Sequence, residues 1–275
     1  MPELPEVETV VRGLRQKVLN QKIEQVRVFY EGIIAYPSVD DFKAKISNQT
    51  IHEIERYGKW IIFVLDEDVL LSHLRMEGKY FVQNSEEAYN RHDHIAFVFS
   101  NHLELRYRDV RKFGKMLLIP KAKINEIGPF KEMGLEPWDP ALTGDYLKEK
   151  LKKKTQPIKN SLLDQSIIVG IGNIYADEIL FLCHLSPLKK SNTLTDEERK
   201  SIIRYTKEVL EKAIQKGGTT IRSYTSLNGI HGLFQQELLV HGKAGEPCAF
   251  CGEIILKIKV GGRGTYYCPN CQRNS

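Results

Sequence analysis

CAFCGEIILKIKVGGRGTYYCPNC, residues 248–271, holds four of the five cysteines of this 275-residue chain. They form two C-x-x-C pairs, Cys248 with Cys251 and Cys268 with Cys271, and sixteen residues separate the pairs. Each pair presents two sulfurs from one tight turn, and a hairpin between the pairs closes four thiolates around a single tetrahedral ion. The pattern predicts one structural zinc, because four thiolates leave no coordination position open for a reactive water. Two disulfides are the competing arrangement. The first twenty residues carry acid where an export signal would carry a basic end and an apolar centre. That predicts a reducing, cytoplasmic location and favours metal over disulfide. Gly261-Gly262-Arg263-Gly264 reads as the hairpin tip, exposing one arginine. Cys183 follows Ile-Leu-Phe-Leu and reads as a core thiol without a role.

Moving toward the amino terminus, the period is helical. Segments 142–153, 161–166, 173–184 and 195–216 read as helices, the last opening on the capping box Thr195-Asp-Glu-Glu198 and stopping at Gly217-Gly218. Gly128-Pro129, Pro137 and Pro140 mark a linker between domains. Before it the period is two. IEQVRVFY, WIIFVL, VLLSHL, HIAFVFS, HLELRY and KMLLIP predict a mostly antiparallel β domain between about residues 23 and 120. Val7, Val10, Val11, Leu14 and Val18 recur at helical spacing after Pro5, so an amphipathic helix should precede the sheet and pack on it. No apolar run approaches the roughly 20 residues of a membrane span. A net charge of +5 points toward a polyanionic partner. The lysine run from Lys148 to Lys154 reads as a solvated helix end.

The first ten residues, MPELPEVETV, suggest chemistry. Were Met1 removed, Pro2 would become a secondary amine with a pKa of roughly 7.7–8, partly uncharged near neutrality. Its addition to an aldehyde-equivalent carbon gives an iminium ion, cationic at any pH and an electron sink. Glu3 and Glu6 would stand beside it to move protons and steady the cation. A plain helix start explains the same letters, and on this decapeptide alone that reading is preferred.

Five strings in order change the balance. MPELPEVETV, HLRMEGKY (73–80), LRYRDVRKFG (105–114), GIGNIYADE (170–178) and GGRGTYYCPNC (261–271) together resemble the bacterial formamidopyrimidine-DNA glycosylases over the whole chain. The resemblance implies an α+β, two-domain fold with an N-terminal helix and antiparallel β-sandwich over 1–125 and a linker over 126–145. It further implies a helix–two-turns–helix domain over 146–235 and a four-cysteine zinc finger over 236–275, with duplex DNA held across a cleft.

In function, the resemblance implies a bifunctional glycosylase/AP lyase that excises oxidised purines, 8-oxoguanine and formamidopyrimidines, from double-stranded DNA and also acts at abasic sites. It would work as a monomer, without membrane and without an organic cofactor. Pro2 would be the Schiff-base nucleophile, Glu3 its proton-transfer partner, Glu6 a brace and Lys59 the lysine beside the target phosphate. A flipped base leaves a hole to be filled, and Met76, Arg111 and Phe113 match the family's inserting trio; without the match, Met76 and Phe113 would be assigned to the core. His73, Asn173, His241, Lys257 and Arg263 match DNA contacts, His241 standing where relatives often have tyrosine. Asn173 also reads as a simple helix cap. Glu77, Thr219, Ser223 and Tyr224 would meet the lesion, with residues 217–232 as a closing loop. Two alternatives stay open: an endonuclease VIII-type enzyme for oxidised pyrimidines, against which the trio argues, and a non-catalytic zinc DNA-binding protein of the same fold.

Overall fold

A computed structural model describes residues 1–219 and 232–273. The chain folds as two compact units: Met1–Lys131 with Gly217–Gly232, and Glu132–Lys216 with Leu233–Ser275.

The first unit opens with α1 (Leu4–Val18). Then come β1 (Ile23–Val28), β2 (Ile34–Tyr36), α2 (Val39–Ile46), β3 (Glu53–Tyr57), β4 (Trp60–Val64) and β5 (Asp68–His73). β6 (Lys79–Asn84), β7 (Asp93–Phe99), β8 (Leu103–Arg108), β9 (Lys115–Pro120) and the short α3 (Ile124–Ile127) follow. Two sheets result, ordered β1-β7-β8-β6 and β2-β9-β5-β4-β3. Their facing sides close one core. Ile95, Phe97 and Leu105 of one sheet join Ile61, Phe63, Leu70 and Leu118 of the other, together with Val7, Val10, Val11, Leu14 and Val18 of α1. The apolar stripe read at helical spacing is thus the stripe that is buried. The five-stranded sheet is covered on its second face too. Ile62, Val69, Leu71 and Ile119 form a smaller cluster against Ile124 and Phe130. This explains why WIIFV and VLL are continuous rather than alternating apolar runs.

Each expected strand is present within two residues of its expected ends. Four elements before β9 are additional. β3 buries only Ile54 deeply and β6 only Tyr80, so neither carries the run of buried apolar residues that marks a strand in sequence. β2 is three residues long and pairs with β9 in parallel, Ile34 opposite Met116, against the antiparallel rule of the rest. α2 starts where the Ser38 hydroxyl accepts from the Asp41 amide, a cap followed by a helix of only eight residues.

The second unit holds α4 (Gly144–Leu151), α5 (Ile158–Leu163), α6 (Asn173–Leu182) and α7 (Asp196–Gln215), then the antiparallel hairpin β10 (Leu256–Val260) and β11 (Arg263–Tyr267). α5 corrects the expected 161–166. It starts after Pro157, whose fixed φ suits a helix entrance, and ends where the Asp164 carboxylate turns to accept from the Ser166 amide. The capping box of α7 is present in both directions. Lys148, Lys150, Lys152 and Lys153 are exposed, as a solvated helix end should be.

Candidate functional site

In the first unit three of the candidate residues gather at the start of α1. Pro2, Glu3 and Glu6 are all buried, Glu3 at 2% and Glu6 at 4% exposure. Two carboxylates leave water here only because donors meet them. Glu6 Oε2 accepts from the Glu3 amide at 2.8 Å. Its other oxygen accepts from the Thr219 amide at 2.8 Å and from the Thr219 hydroxyl at 3.1 Å. One side chain thereby ties the amino terminus to the chain that returns after α7. Gly218 has φ +78°, and a Cβ there would lie 2.7 Å from Glu6 Oε1, so the return path needs glycine. Thr219 is buried, while Ser223 and Tyr224 lie outside the described residues.

Lys59 occupies the turn between β3 and β4 and is buried, at 5% exposure. His73 ends β5, opposite Trp60 in the sheet, with the two rings edge to face at 4.8 Å. Burial, with the nearby charges of Arg75, Lys59 and Lys115, pushes the His73 imidazole down to about 3. It is therefore neutral at physiological pH. Nδ1 accepts from the Arg75 amide at 2.9 Å, which leaves Nε2 as the protonated donor.

Two adjoining turns carry the expected trio. The turn after β5 presents Met76 at 39% exposure, with Glu77 half-buried beside it; the turn between β8 and β9 presents Arg111 exposed and Phe113 at 51%. Large apolar side chains held out in this way are not core residues. The Arg111 guanidinium lies 4.7 Å over the Phe113 ring. Behind these turns stand two residues that the sequence reading passed over. The buried Asp109 carboxylate accepts from the amides of Arg111 (3.0 Å), Phe113 (2.9 Å) and Gly114 (2.8 Å). The buried Tyr107 hydroxyl donates to it at 3.4 Å. An Asp followed at two, four and five residues by amides in need of an acceptor was the available signal.

In the second unit Asn173 is the first residue of α6, not its cap, which is Gly172. Its Nδ2 donates to the Gly264 carbonyl at 3.0 Å and ties the helix to the hairpin. One turn on, Asp177 is fully buried. Its Oδ1 accepts from Lys159 Nζ at 2.7 Å, and its Oδ2 meets His241 Nδ1 at 2.7 Å and the Tyr266 amide at 3.2 Å. Lys159 also donates to Thr265 Oγ1 and the Gly264 carbonyl. None of this network was expected, since Lys159 and Asp177 are eighteen residues apart and nothing local links them. Arg263 and Lys257 are exposed on the hairpin, and Gly261 and Gly262 take positive φ at its tip.

The four cysteine sulfurs lie within 4.8 Å of one another. Cys248 and Cys271 are 3.9 Å apart and Cys251 and Cys268 3.5 Å, far beyond the roughly 2.05 Å of a disulfide. Sulfurs at about 2.3 Å from a tetrahedral ion are spaced near these distances. The Asn270 side chain pulls the Cys251 thiol down to about 6, whereas burial pushes Cys268 and Cys271 up. A dication is what lets four thiolates coexist there, and the residues fit one structural zinc. Cys183, by contrast, is half-buried just after α6 rather than in the core, and burial pushes its thiol up to about 12.

Three sequence profiles match. They are the formamidopyrimidine-DNA glycosylase N-terminal domain over 1–116, the formamidopyrimidine-DNA glycosylase H2TH domain over 133–225, and a zinc finger found in FPG and IleRS over 245–274. The formamidopyrimidine-DNA glycosylase of Oceanobacillus iheyensis is 48% identical over 275 residues, all of this chain and 98% of that protein. A Lactococcus lactis FPG mutant bound to DNA containing Fapy-dG superposes with a TM-score of 0.93 at 41% identity, covering 99% of this chain and 100% of that one. The same enzyme bound to DNA with an abasic site gives the same values.

Proposed function

Because the chain belongs to the formamidopyrimidine-DNA glycosylase family and is a zinc-finger DNA glycosylase of base excision repair, we propose that it excises 8-oxoguanine and formamidopyrimidines from duplex DNA through Pro2. The bond made is from the Pro2 nitrogen, freed by loss of Met1, to C1′ of the damaged nucleoside. The bond broken is the glycosidic one, whose electron pair leaves with the base. Sugar-ring opening then gives an iminium ion, which acidifies C2′, and loss of that proton expels the 3′ phosphate. A second elimination expels the 5′ phosphate and leaves a one-nucleoside gap. Glu3 moves the protons, and Lys59 neutralises the phosphate of the target nucleotide. Neutral His73, donating through Nε2, assists in holding the backbone, without the desolvation cost of a buried cation.

The observation that carries this reading is the Glu6 carboxylate. It accepts at once from the Glu3 amide and from Thr219, and so places a buried acid pair beside Pro2 and anchors the start of the segment proposed to cover the lesion. The Thr219 carbonyl is proposed to read the N–H that oxidation adds to guanine, with Glu77, Ser223 and Tyr224 contributing to the same pocket. Met76, Arg111 and Phe113 fill the space that the everted base leaves. Asn173, at the amide-rich start of α6, with His241, Lys257 and Arg263, grips backbone phosphates. The enzyme acts as a monomer in the bacterial cytosol. No helix among the described residues is long and apolar enough to cross a membrane.

The test is incision of end-labelled duplexes carrying 8-oxoguanine opposite cytosine or, separately, thymine glycol. Strong preference for the first, with phosphate on both ends of the gap, is the expected result. Preference for thymine glycol would make the chain an oxidised-pyrimidine enzyme, and binding without incision of either would remove the catalytic role.

A further inference from the structure

The turn that presents Met76 runs from β5 to β6 and the one that presents Arg111 and Phe113 from β8 to β9, so each is a separate crossing between the two sheets. A tool for entering a base stack must nevertheless arrive as one piece. The Tyr107 hydroxyl is where the two turns meet. It is so close to both backbones that a Cβ on Gly78 would lie 2.3 Å from it, and one on Gly114 only 1.7 Å. Gly78 closes the Met76 turn, its amide donating to the Leu74 carbonyl at 2.9 Å. Gly114 closes the other turn, its amide held by Asp109. Both glycines are thus required by the same hydroxyl.

Asp109 supplies the second half of the device. All three amides it accepts belong to the turn that carries Arg111 and Phe113, within which Lys112 is forced to φ +57°. A non-glycine residue in that region persists only when its surroundings over-determine it. The aspartate is itself fixed, because its own carbonyl accepts from His94 Nε2 at 2.7 Å. A buried carboxylate that served only the core would not need all its amide donors from one exposed turn.

We propose that Tyr107 and Asp109 are positioning residues that lock the two wedge turns together, so that Met76, Arg111 and Phe113 enter duplex DNA as a single rigid unit. The proposal rests on the wedge role given to that trio above. It touches duplex substrates alone, because a single strand has no stack to enter and no partner base left behind.

The experiment compares kcat/KM on an 8-oxoguanine:cytosine duplex with that on a single-stranded oligonucleotide holding an abasic site. The variants are Asp109→Asn, Tyr107→Phe and Phe113→Ala. Asp109→Asn keeps the shape but turns an amide N–H against the Phe113 and Gly114 donors. It is expected to lose at least tenfold more activity on the duplex than on the single strand. Tyr107→Phe, which keeps the ring in the core, should show the same preference for loss at about threefold. A general folding defect would lower both activities equally, and equal losses in Asp109→Asn and Tyr107→Phe would overturn the proposal. Phe113→Ala separates the two layers. If it loses duplex activity selectively while Asp109→Asn and Tyr107→Phe do not, the lock is wrong and the wedge stands. If Phe113→Ala shows no selective loss, the wedge reading fails and the lock with it.

Discussion

Single residues at this site are set by burial as much as by identity. His73 shows it most clearly: an imidazole in the sheet beside Trp60, with lysine and arginine charges near, titrates at about 3 instead of its ordinary 6.5. Between those values the unfolded chain takes up a proton that the folded chain refuses, so stability falls as pH drops from 6.5 toward 3. Above 6.5 both states are neutral and the residue adds no slope. The slope inside the window approaches ~1.4 kcal/mol per pH unit. Urea titrations at pH 4, 5, 6 and 7 should show it, and His73→Gln should flatten it; an unchanged slope in the variant would mean that the folded imidazole is protonated. The letters HLRMEGKY gave His73 a place in a motif but not this neutrality, which depends first on burial in the sheet and then on charges from three separate strands or turns. The same holds for Glu6. Its place on the first helical turn could be read from Pro5 and the periodicity, whereas its bond to Thr219 spans more than two hundred residues.

Among the elements, those with a clean period were legible and those stabilised by distant partners were not. α1 and α7 announced themselves through a valine stripe and a capping box; β3 and β6 did not, because each buries only one residue deeply. α6 and the hairpin were each expected, yet their connection was not. It rests on Asp177, which holds Lys159, His241 and the Tyr266 amide at once. Removing one member of a buried ion pair leaves an uncompensated charge and typically costs 3–5 kcal/mol. Asp177→Ala is therefore expected to lower stability in urea by about 3–5 kcal/mol and to loosen the hairpin from α6 even with zinc bound. A loss under about 1 kcal/mol would show that the network contributes little.

For the whole molecule, the proposed chemistry and the proposed grip of the hairpin fall on different units of the chain. Pro2, Glu3 and Glu6 sit in the first unit, and the zinc hairpin with Arg263 and Lys257 sits in the second. Stripping the zinc with a chelator should unfold the hairpin, lower affinity for duplex DNA by roughly tenfold or more and reduce its salt dependence. Incision of an abasic site in a single strand should fall much less, and fluorescence anisotropy beside an incision assay distinguishes the two effects. Unchanged affinity after verified metal loss would remove the hairpin from the interface. Borohydride trapping tests the Pro2 nucleophile most directly, because borohydride reduces an imine to a permanent bond. The native protein, shown by intact mass to lack Met1, is mixed with an 8-oxoguanine:cytosine duplex beside a version whose amino terminus is blocked by added residues. A covalent protein–DNA band from the native protein alone is the predicted result. No band from the native protein, or bands of equal strength from both, would contradict a Pro2 Schiff base.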